Sequence, residues 1–209
     1  MRFIDKTNSR TFGRRAFTLA ELLIVVAIIA VLVGISIPIF TAQREKSAEA
    51  ADIANMRAAK AAAVQVFYAG ITDEDSAKAY GFKWWKGNSN DPANASAIYI
   101  ADKGTFSNIA TASLKEKDAY GQGTSKDGGT EYYGYNSSLD YSKAVIQVTI
   151  YPNGAGQKIL KNFDGGKYNS SEYYNAPCII IEWRNTTDKY FVGAVGGSRG
   201  LGQIIFIDD

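Results

Sequence analysis

Residues 17–40 read FTLAELLIVVAIIAVLVGISIPIF, 24 positions that carry a single charge, Glu21. From Leu22 to Phe40 the only polar side chain is Ser36. At about 1.5 Å of rise per residue, a helix of this length reaches ~36 Å, enough to cross a hydrocarbon layer of about 30 Å. Arg14 and Arg15 stand immediately before it and place the N-terminal side in the cytoplasm, because basic flanks stay on that face. The stretch reads as a membrane-inserted helix. Pro38 removes one backbone hydrogen bond and Gly34 loosens the turn before it, so a kink or local melting is expected over Ile35–Pro38.

Glu21 is the residue that needs explaining. A carboxylate inside hydrocarbon costs roughly 2.5–3.5 kcal/mol on insertion scales, so it needs a partner unless it reaches the interface. Its surroundings narrow the choice: Arg14-Arg15-Ala16, then Phe17-Thr18-Leu19-Ala20-Glu21, then the long apolar run with Pro38. This layout resembles the type IV pilin family, marked by a short basic leader, a cut just before Phe, and a Thr-Leu-x-Glu run opening an apolar helix. Counted from Phe17, Glu21 is fifth and Pro38 twenty-second, both positions that the family favours. The departure is Ala16, where the family usually has Gly. Beyond this N-terminal motif the chain matches the family in layout alone.

The resemblance implies a sequence of events. A prepilin peptidase would cut between Ala16 and Phe17, and the new amino group of Phe17 would be methylated. In a helical filament of identical subunits, Glu21 would then neutralise the Phe17 amine of a neighbour. Such a pair sets register more surely than it adds stability. The precursor would sit in the cytoplasmic membrane, single-pass with its N-terminus inside, until a pilus assembly machinery moved it into an extracellular pilus.

The rest of the chain sets the bounds. The 209 residues allow one membrane helix and one domain large enough for its own core. Residues 1–16 hold five basic residues and one acid, so the overall charge of +2 leaves the chain from Phe17 onward acidic. That is no electrostatic footprint for nucleic acid, and no specific nucleic-acid binding is expected. Residues 1–16 read as a basic leader that is removed, 17–40 as the hydrophobic helix, 41–70 as its amphipathic continuation, and 71–209 as a globular region. An ordinary signal peptide cut at Ala48-Glu49-Ala50 is the weaker reading, since that site lies well past the apolar run.

From Thr41 to Ala69 strong helix formers dominate, and Ile53, Met56, Ala63 and Phe67 keep one apolar face. One helix from Phe17 to Ala69 is expected, stopped by Gly70. Thr72-Asp73-Glu74-Asp75 opens a short helix to about Tyr80. Phe82, Trp84 and Trp85, interleaved with Lys83 and Lys86, read as a lid on a core in preference to a stacking platform for single strands. Residues 87–130 look irregular, with short helices near Ala93–Ala101 and Thr111–Ala119. Strands are expected at Glu131–Tyr135, Ala144–Tyr151, Cys178–Arg184, Tyr190–Val195 and Gln203–Ile207. An Asn185–Asp188 hairpin is expected to join the third of these to the fourth. The fold class is α+β: a long N-terminal helix packed on an antiparallel sheet, a pilin-like layout.

Chemistry-bearing motifs are few. The glycine run from Gly196 to Gly202 imitates a nucleotide-binding turn, but too little chain follows it for a βαβ unit. The chain has no His, which removes the His-based nucleophile and metal systems, and no catalytic residue is assigned. The lone Cys178 forms no internal disulfide and reads as a small core residue. Asn94, Asn136, Asn169 and Asn185 begin Asn-x-Ser/Thr triplets from which no glycosylation is inferred. No cofactor is expected. Calcium is the one metal carried forward, on Asp164, Glu172, Asp188, Asp208 and Asp209, because pseudopilins of type II secretion often bind it near this end. Solvated surface acids are the preferred reading there.

The reading is a structural subunit, not an enzyme: a prepilin polymerised through its apolar helix. The alternatives are a pseudopilin of type II secretion or DNA uptake and, from another class, a single-pass anchored binding domain.

Overall fold

The computed structural model describes residues 17–108, 119–124, 141–163, 166, 168, 170–185 and 202–207. The leader, the strands expected at 131–135 and 190–195, the 185–188 hairpin beyond its first residue, and nearly all of the helix expected at 111–119 lie outside them. So do Gly196–Gly200 and the acids Asp164, Asp188, Asp208 and Asp209. The chain divides into two compact units, Met1–Gln43 and Arg44–Asp209.

One helix, α1, runs Leu19–Tyr68, so the single-helix expectation holds to within two residues at either end. It passes through Gly34 and Pro38 without interruption, and the local melting expected there does not occur. The physical reason is that Pro38 costs only one bond, the one its missing N–H would have made to the carbonyl of Gly34. On either side Ser36 Oγ donates to the Leu32 carbonyl and Thr41 Oγ1 to the Ile37 carbonyl, both at 2.7 Å. These hydroxyls turn inward to the backbone, which suits a helix surrounded by apolar groups.

In the second unit the later part of α1 buries Met56, Ala59, Ala63 and Val66. The apolar face is therefore shifted slightly from the expected one, with Ile53 and Phe67 only half-buried. The shift brings a charged residue into the stripe: Asp52 is 3% exposed. Its carboxylate accepts from the Gln122 N–H at 2.9 Å and from Thr124 Oγ1 at 2.6 Å. Burial pushes the Asp52 carboxyl above its usual range, against the pull of those two partners.

After α1, the helix α2 (Glu74–Ala79) starts where the acidic run predicted. Asp73 caps it by accepting from the Ser76 N–H, and the Ser76 hydroxyl returns to the Asp73 N–H. The Ser76 N–H and the Ser76 hydroxyl, each 2.9 Å from Asp73 Oδ1, hold the Asp73 carboxyl below its ordinary range. The sheet then forms from β1 (Lys83–Trp85), β2 (Asn94–Ile100), β3 (Thr105–Asn108), β4 (Ala144–Tyr151), β5 (Cys178–Asn185) and β6 (Gly202–Phe206). Its order is β1-β2-β4-β5-β6, and every pairing is antiparallel. β3 pairs with the later half of β2 and β1 with its start.

β2 is the main correction. Residues 93–101, expected as a helix in an irregular surface region, hold a strand buried from Ala95 to Tyr99. Alanine favours helices in isolation, but Ala95 and Ala97 face the α1 cluster while Ser96 and Ile98 point to the other face, a period of two that pairing with β4 enforces. The core facing α1 is completed by Ile146, Val148 and Ile150 of β4 with Ile179, Ile181 and Trp183 of β5. Phe82 joins this core fully buried, Trp84 packs on its edge and Trp85 stays exposed with Lys83 Nζ 3.8 Å from its ring centre.

The other face has a cover that the sequence reading did not assign. Helices α3 (Gly156–Phe163) and α4 (Ser171–Asn175) bring Leu160, Phe163 and Tyr174 against Tyr151, Cys178 and Ile180. The turn before α3 requires Gly154: its φ is +87°, and a Cβ there would lie 2.5 Å from the Tyr174 carbonyl oxygen. Cys178 sits in this second core, its thiol pushed up to about 12 by burial, as expected of a packing residue.

Segment 119–124 stitches the pieces together. The Tyr120 hydroxyl donates to the Tyr99 carbonyl at 2.9 Å and accepts from the Ile146 N–H at 2.8 Å. It therefore bridges β2 and β4 beyond the last residues that their ladder pairs. Two residues on, the Gln122 N–H reaches Asp52 of α1.

Candidate functional site

The start of α1 is built by two side chains. Thr18 Oγ1 accepts from the Glu21 N–H at 3.2 Å, and Glu21 Oε2 accepts from both the Thr18 N–H and the Thr18 hydroxyl at 2.9 Å. This is a capping box: residue N-cap and residue N3 satisfy each other's orphan backbone donors. The first helical bond, Leu22 N–H to the Thr18 carbonyl, follows at 3.3 Å. The Thr-Leu-x-Glu spacing is thus a helix-start signal in its own right, a role for Glu21 that the sequence reading did not assign. That signal was legible, since a Thr three residues before a Glu ahead of an apolar run is its signature.

Glu21 also sits at the positive end of the helix dipole, where a carboxylate is favoured. Both bonds from Thr18 converge on Oε2. Phe17, just outside the helix, is 84% exposed.

Beyond the cap, every large apolar side chain from Leu19 to Phe40 is exposed. Among the described residues this is the one helix long and apolar enough to cross a membrane, and none of its most apolar window is buried. A contiguous apolar surface of this extent marks a contact with lipid or protein. Leu19, Leu22, Leu23, Val26, Ala27 and Ala30 line a shallow groove along it. Gly34 offers open space, with nothing within 4 Å of where a Cβ would stand.

Of the residues expected to matter, the structure brings Glu21 onto Thr18, beside Phe17, while Gly34 and Pro38 lie further along the same helix. Ala16 falls outside the described residues. Of the acids weighed for calcium, only Glu172 is described, an exposed residue of the first turn of α4. No group of three metal-binding side chains occurs among the described residues.

Residues 12–37 match the model of the prokaryotic N-terminal methylation motif, the type IV prepilin signal. No curated protein and no solved structure matches the chain. The matched segment spans the junction Ala16–Phe17, the capping box and the apolar run as far as Ile37. It supports a type IV pilin-like or pseudopilin precursor anchored in a membrane, and points to a structural protein.

Proposed function

We propose that the chain is the precursor of a structural subunit of an extracellular type IV pilus, cut between Ala16 and Phe17 and polymerised through its apolar helix. The observation that supports this best is the junction of the methylation motif with a capped helix whose large apolar side chains are exposed among the described residues. Held in the cytoplasmic membrane with its N-terminus inside, the precursor presents the Ala16–Phe17 bond to a prepilin peptidase at the membrane surface. Cleavage converts the Phe17 amide into an amine, the site of methylation, one residue ahead of the Thr18 cap.

Glu21 then has two tasks. Through Oε2 it keeps the first turn closed, and through Oε1 it is offered to the Phe17 amine of a neighbouring subunit. Each charge alone is costly among apolar helices; paired, they become tolerable and fix the axial register. Transfer from lipid to a bundle of helices gains little hydrophobic free energy, because lipid is equally apolar, so packing and this pair decide it. Gly34 and Pro38, four residues apart, form the joint at which the helix bends as neighbours close in.

A pseudopilin of type II secretion or DNA uptake shares the motif and the helix, and the residue match over 12–37 suits it equally. A short, calcium-dependent assembly instead of long surface filaments favours the secretion version.

Glu21→Val tests the proposal. Electron microscopy of native cells expressing the variant is expected to show filaments reduced at least tenfold, with precursor retained in the membrane. Filaments at the normal number would overturn the assembly role.

A further inference from the structure

The sheet face turned away from α1 opens, beside Phe163, into a cavity of about 190 Å³. Its floor is polar yet buried: Ser96, Gln147, Thr149 and Glu182 are each 8% exposed or less. Ile159 and Phe163 of α3 form an apolar wall. Most of the floor's hydrogen-bonding capacity is used internally. Ser96 Oγ and Thr149 Oγ1 share a bond at 3.1 Å, and Gln147 Nε2 donates to Thr149 Oγ1 at 3.3 Å. Arg184 Nη1 lies 3.6 Å from Glu182 Oε1. The acceptor Gln147 Oε1 and the donor Arg184 Nε have no partner among the described residues. A buried acceptor and a buried donor left unmade in one cavity ask for a ligand that both donates and accepts.

We propose that this cavity binds one ring of a neutral carbohydrate. Adjacent hydroxyls supply the required pair, one donating to Gln147 Oε1 and the next accepting from Arg184 Nε–H. Neutrality follows from the charges, since Arg184 and Glu182 compensate each other at the floor. Size follows from the volume, which is below the ~300–1,000 Å³ of pockets for drug-sized ligands and well above the ~30 Å³ of a water. The apolar C–H face of the ring lies against the apolar wall of Ile159 and Phe163. The site is independent of the pilus reading, and its test does not depend on filament assembly.

The test is saturation-transfer NMR on the full chain in dodecylphosphocholine micelles, whose headgroup carries no sugar. The probes are glucose, galactose, mannose and N-acetylglucosamine, with glucuronate and glucosamine as charged counterparts. Transfer is expected to at least one neutral sugar at millimolar concentration, and at least tenfold weaker binding of the charged ones. Gln147→Leu, which keeps the volume and removes the acceptor, is expected to weaken binding tenfold or more. Ile159→Trp, which fills the mouth from α3 without touching the floor, is expected to abolish it and keeps the test decisive if the first variant unfolds. No transfer to any neutral sugar would mean that the cavity holds water only, and would overturn the proposal. So would transfer that persists unchanged in Ile159→Trp, or a preference for either charged sugar.

Discussion

The two parts of α1 are one helix by backbone and two different objects by surface. In the first, through Gln43, apolar side chains surround the helix and every large one is exposed. In the second, from Arg44, a narrow stripe of Met56, Ala59, Ala63 and Val66 is buried against the sheet, Ile53, Val64 and Phe67 flank it half-buried, and most other positions are polar or small. A helix with one apolar stripe is satisfied by one partner within its own chain; a helix apolar all round is satisfied only by lipid or by other chains. The difference teaches that packing within the chain and contact with lipid or other chains are assigned to separate segments of a continuous element. Substitutions should therefore divide along the same line.

The largest expected contrast lies between Met56→Ala and Ile28→Ala. Removing a fully buried methionine leaves a cavity and costs about 2–5 kcal/mol, whereas Ile28 is exposed in the chain alone. Denaturant melts of the full chain in micelles should show a marked drop for the first and none for the second. Equal losses would erase the distinction between the two parts of the helix.

Asp52 sharpens the second part. Asp52→Ala removes the acceptor of the Gln122 N–H and the Thr124 hydroxyl and should cost about 1–3 kcal/mol in the same melts. Its pH dependence has a definite sign. Because the folded chain raises this carboxyl, the fold binds the proton more tightly than the unfolded chain does. The contribution is therefore most favourable below the unfolded value of about 3.9, and it declines as pH rises toward the folded one. Asp52→Asn should remove that decline, and a variant that tracks the natural chain at every pH would show that Asp52 does not titrate in this way.

Asp73 gives the smaller and opposite effect. Its carboxyl is held low by the cap, so its contribution is present above the unfolded value and lost as pH falls through the folded one. Asp73→Ala should lower stability measurably at neutral pH, with the difference from the natural chain closing in acid. A constant difference across pH would place the loss elsewhere than in the cap.

What was legible in the sequence follows the strength of local signals. β4 was readable to its ends because Val, Ile, Thr and Tyr crowd eight residues, and β5 and β6 fell within a residue of expectation for the same reason. The apolar run announced its helix by composition alone. β2 was not legible, because Asn-Ala-Ser-Ala favours helix or turn in isolation and becomes a strand only through its neighbours on both sides. Asp52 was missed because a charged residue is assigned by default to the solvent face, and its partners lie 70 and 72 residues away. The polar cavity has the same origin: Ser96, Gln147 and Arg184 come together only when three strands pair. At the candidate site, Glu21 was singled out for its charge, while its bond to Thr18 needed only a three-residue spacing to be foreseen.

The most direct test of the division between folding and assembly is the N-terminal mass of the protein recovered from the surface of its native cells. A chain that begins at methylated Phe17 is the predicted result, with the leader gone and the capped apolar helix intact. An intact Met1 would make the segment a permanent anchor, and a start near Ala51 would remove it altogether. Either result would contradict a helix kept for assembly.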